Sequence, residues 1–144
     1  MDVTIPVEVD LHTKIIDSGA TEDSKLSSNG TLYRKNGAVY LRYEEMINEK
    51  DKVNTTIKIL TDEITIIRQG AVSMRQRFSP GTEKEGTYES PYGPIQISTK
   101  TDKIDFDWNE TVQKGYLSMD YQVLFQGEEA GYHQMLIKLR GEER

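Results

Sequence analysis

The sequence predicts an all-β fold: one antiparallel β-barrel of about eight to ten strands, joined by short hairpins and spanning residues 1–144. Three observations carry this. Apolar and polar residues alternate at period two along nearly the whole chain, and the spacing of an amphipathic helix is hard to find. Asn36-Gly37 stands between two alternating runs, a strong hairpin signal because both residues tolerate the positive φ of a type I′ turn. The composition is 29 % charged against 35 % hydrophobic, which suits strands that show one face to water. Closure into a barrel also removes the exposed edges that a sandwich leaves.

The elements follow in order. "PVEVDLHTKI" sets Val7, Val9 and Leu11 on one face, with Glu8, Asp10 and His12 on the other. In "GTLYRKNGAVYLRYEE" the Asn36-Gly37 turn pairs Arg34 with Val39, Leu32 with Leu41 and Gly30 with Tyr43, so Leu32, Leu41 and Tyr43 share the inner face. In "NTTIKILTDEITIIRQG" a turn at Asp62-Glu63 pairs Ile59 with Ile66 and Ile57 with Arg68, which puts an arginine on the apolar side. "AVSMRQRFSPG" places Val72, Met74, Gln76 and Phe78 on one face, and Ser73, Arg75 and Arg77 on the other. A Pro/Gly corner leads to a strand with Ile95 and Ile97, then to a short "KIDFDW" strand.

The chain closes with "GYLSMDYQVLFQGEEAGYHQMLIKLR". "VLFQG" coincides with the core of a picornaviral protease cleavage sequence used in engineered tags. A loop at residues 127–131 pairs Phe125 with His133, Val123 with Met135 and Tyr121 with Ile137, and a tag has no reason to continue such a register on both sides. Val123 to Gly127 therefore belong to a native hairpin.

Composition and motifs exclude several functions. A net charge of −6 argues against nucleic acid as the main partner, because that binding rests on counterion release by Lys and Arg. The chain has no cysteine, hence no disulfide, thiol nucleophile or thiolate metal site. Without a signal-like segment or a long apolar run, a cytoplasmic protein with no membrane partner is expected. His12 and His133 fall on opposite faces, which disfavours a metal site, and no cofactor is indicated. "DFDWNETVQKGY" begins like a calcium loop, but Glu110 stands where the turn needs glycine and Tyr116 where the bidentate glutamate belongs. "GTEKEGT" lacks the lysine of a phosphate loop, no Gly-x-Ser-x-Gly elbow occurs, and no catalytic residues emerge.

In their order, "YLRYEE" (40–45), "TTIKI" (55–59), "IIRQG" (66–70), "MRQRF" (74–78) and "YESPYG" (88–93) resemble the YwiB-like proteins of Gram-positive bacteria. The resemblance covers nearly the whole chain. It implies a small calycin-like (lipocalin-related) barrel in the cytoplasm, with no assigned function and no catalytic residues to carry over.

The residues that call for explanation are polar ones on the apolar face: Tyr43, Arg68, Gln76, Tyr121 and His133. A buried arginine needs a carboxylate, a cluster of acceptors or a bound anion, and Glu44 or Glu45 is the nearest internal carboxylate if the register slips. The leading expectation is a non-enzymatic module with a small internal site for an anionic or amphipathic molecule. Arg68 would anchor the anionic group and the other four residues would orient the ligand. Ile57, Ile66, Met74, Val123 and Met135 would form the wall. The competing expectation is a barrel plugged by its own side chains that binds a protein or RNA through Arg75, Arg77 and nearby tyrosines, or that pairs weakly with a second copy. An enzyme would have to rely on His133.

Overall fold

A computed structural model describes residues 4–142. Ten strands form one closed, wholly antiparallel barrel: β1 (Thr4–Asp17), β2 (Ala20–Lys35), β3 (Ala38–Met46), β4 (Lys52–Ile59), β5 (Ile64–Gly70), β6 (Ser73–Phe78), β7 (Glu83–Ser90), β8 (Gly93–Asn109), β9 (Lys114–Phe125) and β10 (Glu128–Gly141). Each strand pairs with its neighbours in sequence, and β10 closes the barrel on β1 from Val7–Gly141 to Ile16–Tyr132. No edge runs the length of the sheet as it would in a sandwich.

The period-two pattern locates the core directly. Inward positions of all strands meet around Leu41, Ile57, Ile64, Phe78, Leu117 and Ile137, each fully buried. Three hairpins turn through two residues of positive φ: Ser18-Gly19 (51° and 82°), Asn36-Gly37 (51° and 80°) and Gln126-Gly127 (50° and 85°). At Asn36-Gly37 the pairing is the expected one, with Arg34–Val39, Leu32–Leu41 and Gly30–Tyr43 opposed.

Four expectations are corrected. The β4–β5 loop spans residues 60–63 and is closed by the Leu60 amide donating to the Glu63 carbonyl, so Ile59 opposes Ile64, Ile57 opposes Ile66 and Thr55 opposes Arg68. The last hairpin turns tightly at Gln126-Gly127, and an irregularity between Glu129 and Tyr132 then brings His133 opposite Tyr121, Met135 opposite Met119 and Ile137 opposite Leu117. Both shifts are even, so every side chain keeps its predicted face. "KIDFDW" is no separate strand but the second half of the 17-residue β8, which continues past a bulge between Thr101 and Lys103. Finally, β2 begins ten residues earlier than "GTLYRK" implies. Its first half, "ATEDSKLSSN", pairs with β1 alone, because pairing with β3 starts only at Gly30. Together with the end of β1, which stays paired with β10 on its other side, it forms an arm whose outer edge on β2 is open.

The barrel's two ends differ. The end carrying the β2–β3, β4–β5, β6–β7 and β8–β9 turns is filled by large side chains, with Trp108 packed against the core. Gly115 stands opposite Trp108, and a Cβ there would come within 2.9 Å of the indole, so the glycine is what lets that ring lie against β9. The other end, where the β1–β2 arm stands, is hollow.

Candidate functional site: a cavity in the mouth of the barrel

A cavity of about 740 Å³ occupies the upper half of the barrel, within the usual range for small-molecule sites of about 300–1,000 Å³. All five polar residues singled out in the sequence, Tyr43, Arg68, Gln76, Tyr121 and His133, line it. They come from β3, β5, β6, β9 and β10, and meet because each sits at an inward position of its strand near the same end. Of the expected wall residues, Ile66, Met74, Val123 and Met135 line the cavity. Ile57 does not: it is fully buried in the packed layer beneath. The barrel is thus neither wholly plugged nor wholly hollow.

Arg68 finds its partner inside the protein. Its guanidinium donates to Glu45 Oε2 at 2.9 Å, with both side chains about a quarter exposed. No register slip is needed, because Glu45 follows Tyr43 by two residues and so shares its inward face. Glu44 points outward, 3.6 Å from Lys52 Nζ. Glu45 is the residue that the sequence reading placed least well, and plain alternation from Tyr43 would have found it. Asp17, Glu22, Thr55, Tyr88 and Phe125 also line the cavity and carry no distinguishing sequence signal.

Burial dominates the electrostatics of the neutral groups. It pushes the Tyr121 phenol far above its ordinary range and raises that of Tyr43, where the Arg68 charge partly opposes it. Both hydroxyls are therefore protonated donors at neutral pH. Tyr121 packs edge-on against Phe78 with ring centroids 4.7 Å apart, and stacks on His133 at 5.0 Å. Gln76 is 7 % exposed, and its amide has no hydrogen-bond partner among the described residues. The Tyr121 hydroxyl likewise has none.

Burial lowers the His133 pKa below the ordinary histidine value, so the ring is neutral near pH 7. The sign of the pH dependence follows. The unfolded chain takes up the proton first as pH falls, so the stability linked to His133 is complete above about pH 6.5 and declines as pH drops through that value toward the lower folded pKa. Thermal melts of the natural chain and His133→Gln between pH 7.5 and 5 are expected to show a shallower acid decline in the variant. Parallel declines would show that His133 pays no burial penalty.

The outer wall is partly self-neutralised. Arg77 donates from Nε and Nη2 to Glu63 Oε1 at 3.2 and 3.1 Å, while Arg75 is exposed. Tyr33 stacks on Tyr40 across β2 and β3 at 5.1 Å. Asp105 and Asp107 are solvent-facing, and Asp105 accepts a hydrogen bond from the Tyr116 hydroxyl at 2.9 Å. His12 lies outside, 2.9 Å from Asp23, away from His133.

Fold and cavity define a class: a closed ten-stranded antiparallel barrel, packed at one end and hollow at the other. The chain belongs to the family described as Domain of unknown function (DUF1934), which matches residues 9–137. It is 32 % identical over 136 residues to the uncharacterized beta-barrel protein YwiB of Bacillus subtilis (strain 168), covering 94 % of each chain. Its structure is similar to the crystal structure of the ywiB protein from Bacillus subtilis, with a TM-score of 0.86 at 30 % identity, covering 97 % of this chain and 94 % of that one. The resemblance to YwiB-like proteins read from the sequence holds across the whole barrel.

Proposed function

We propose that this protein is a non-enzymatic binding module that holds a small amphipathic molecule in the mouth half of its barrel. The observation that supports this is Gln76, 7 % exposed in the cavity wall, whose amide is open to the cavity and has no hydrogen-bond partner among the described residues. An amide sealed away without a partner would cost about 1–3 kcal/mol, and the Gln76 amide avoids this because the cavity admits water or a ligand atom to it. The unpartnered Tyr121 hydroxyl and the Arg68–Glu45 pair stand in the same cavity, and Ile66, Met74, Val123 and Met135 supply its apolar wall. A molecule with an apolar body and one polar end matches that division, since it buries hydrocarbon against the wall while its head completes the unpaired groups.

The test is a titration of the isotope-labelled protein with 1-octanol, a neutral amphipathic probe, followed by amide chemical shifts. Saturable shifts centred on Gln76, Tyr121, His133 and Met135 are expected. Shifts confined to the outer wall, or a linear drift with no saturation, would remove the cavity as the site.

A further inference from the structure

We propose that the ligand selected by this cavity is an amphipathic cation, an amine or quaternary ammonium on an apolar body. The inference rests on the cavity being a ligand site and adds the sign of the ligand's charge, opposite to the anion that Arg68 suggests in the sequence.

Four lining side chains other than His133 are ionisable acids or bases with a formal charge at neutral pH: Asp17, Glu22, Glu45 and Arg68. The one cation among them is already engaged, because Arg68 donates to Glu45 at 2.9 Å. An anion that reached the remaining N–H groups of that guanidinium would also meet the Glu45 carboxylate beside it. Asp17 and Glu22 sit on the inward face of the β1–β2 arm and have no cationic partner among the described residues. Asp17 accepts only from the Ser18 hydroxyl, at 3.2 Å. The arm's lysines do not serve them: Lys14 opposes Asp23 and Lys25 opposes His12, all on the outward face. The cavity therefore carries two carboxylates in excess.

Two further features point the same way and do not depend on those carboxylates. The Gln76 amide, 7 % exposed and unpartnered, brings a carbonyl oxygen to the cavity as an acceptor for an ammonium N–H or for its water. Tyr43, Tyr88, Tyr121 and Phe125 also line the space, and the faces of aromatic rings attract cations and repel anions. Carboxylates at the mouth above an aromatic wall form a graded path for a cationic head followed by an apolar tail.

The test compares three probes of one chain length by isothermal titration calorimetry on the full chain, each below its micellar concentration: octyltrimethylammonium, 1-octanol and octyl sulfate. The ammonium is expected to bind about tenfold more tightly than octanol, and octyl sulfate more weakly than octanol. Added salt should narrow that spread. In the double variant Asp17→Asn/Glu22→Gln, placed on the exposed arm so that folding is preserved, the ratio of ammonium to octanol affinity should fall severalfold. Octyl sulfate binding as tightly as the ammonium overturns the cation assignment but leaves the cavity reading intact if octanol binds. A full ammonium preference retained by the double variant overturns it as well. Failure of all three probes to bind defeats the cavity reading itself.

Discussion

Phe78→Ala is expected to lower the free energy of unfolding by about 3–5 kcal/mol, the largest effect of any single truncation considered for this chain. Phe78 is 0 % exposed at the end of β6 and belongs to the layer that separates the packed end from the cavity. Its ring supports Tyr121 edge-on at 4.7 Å, and Tyr121 in turn stacks on His133. Truncation removes apolar area and leaves a void that the barrel fills only in part, because cross-strand pairing such as that of Phe78 with Ile64 of β5 holds the backbone in place. The loss is a large part of the roughly 5–15 kcal/mol that stabilises a domain of this kind. Urea denaturation measures it, with Phe78→Leu, expected to cost about 1 kcal/mol, as the folded control. A cost for the alanine variant near that of the leucine variant would show that the floor is loosely packed, and that hollow and filled halves are not distinct.

Thr13→Trp is expected to weaken binding of amphipathic probes by about a hundredfold or more while leaving the fold in place. Thr13 faces inward on β1, opposite Met135 and Ser24, and lines the cavity near its mouth. An indole there enters open space instead of packed core, so the usual penalty for overfilling does not arise. A thermal melt equal to or above that of the natural chain, combined with lost octanol shifts at Gln76 and Tyr121, is the predicted pair of results. Probe affinity unchanged in the variant would show that binding occurs elsewhere. The contrast with Phe78 is the point: adding volume above the floor removes function without stability, and deleting volume in the floor removes stability.

Much of this arrangement was legible in the sequence because it depends on parity. Tyr43, Arg68, Gln76, Tyr121 and His133 were placed on one face by alternation alone, and errors of two or four residues in two hairpins did not disturb that placement. What alternation does not encode is height along the barrel axis. Ile57 was assigned to the ligand wall although it lies in the layer below, because face is fixed by parity while level is fixed by turn length. The β1–β2 arm was missed for another reason. "ATEDSKLSSN" has one large apolar residue, Leu26, among polar ones at inward and outward positions alike, so its period-two signal is too weak to read, and pairing with β1 makes it a strand. Asp17 and Glu22, which decide the charge of the mouth, lie on that arm and were invisible for that reason. Glu45 was within reach, since it alternates in register with Leu41 and Tyr43.

The most direct test of the central claim, that the mouth half of the barrel holds a small molecule, is native mass spectrometry of the protein purified gently from its own host beside the Thr13→Trp variant from the same host. The account predicts a reproducible added mass, on the order of a few hundred daltons, on the natural chain; it is lost on denaturation and absent from the variant. Bare protein masses for both chains, or the same adduct on both, would contradict it.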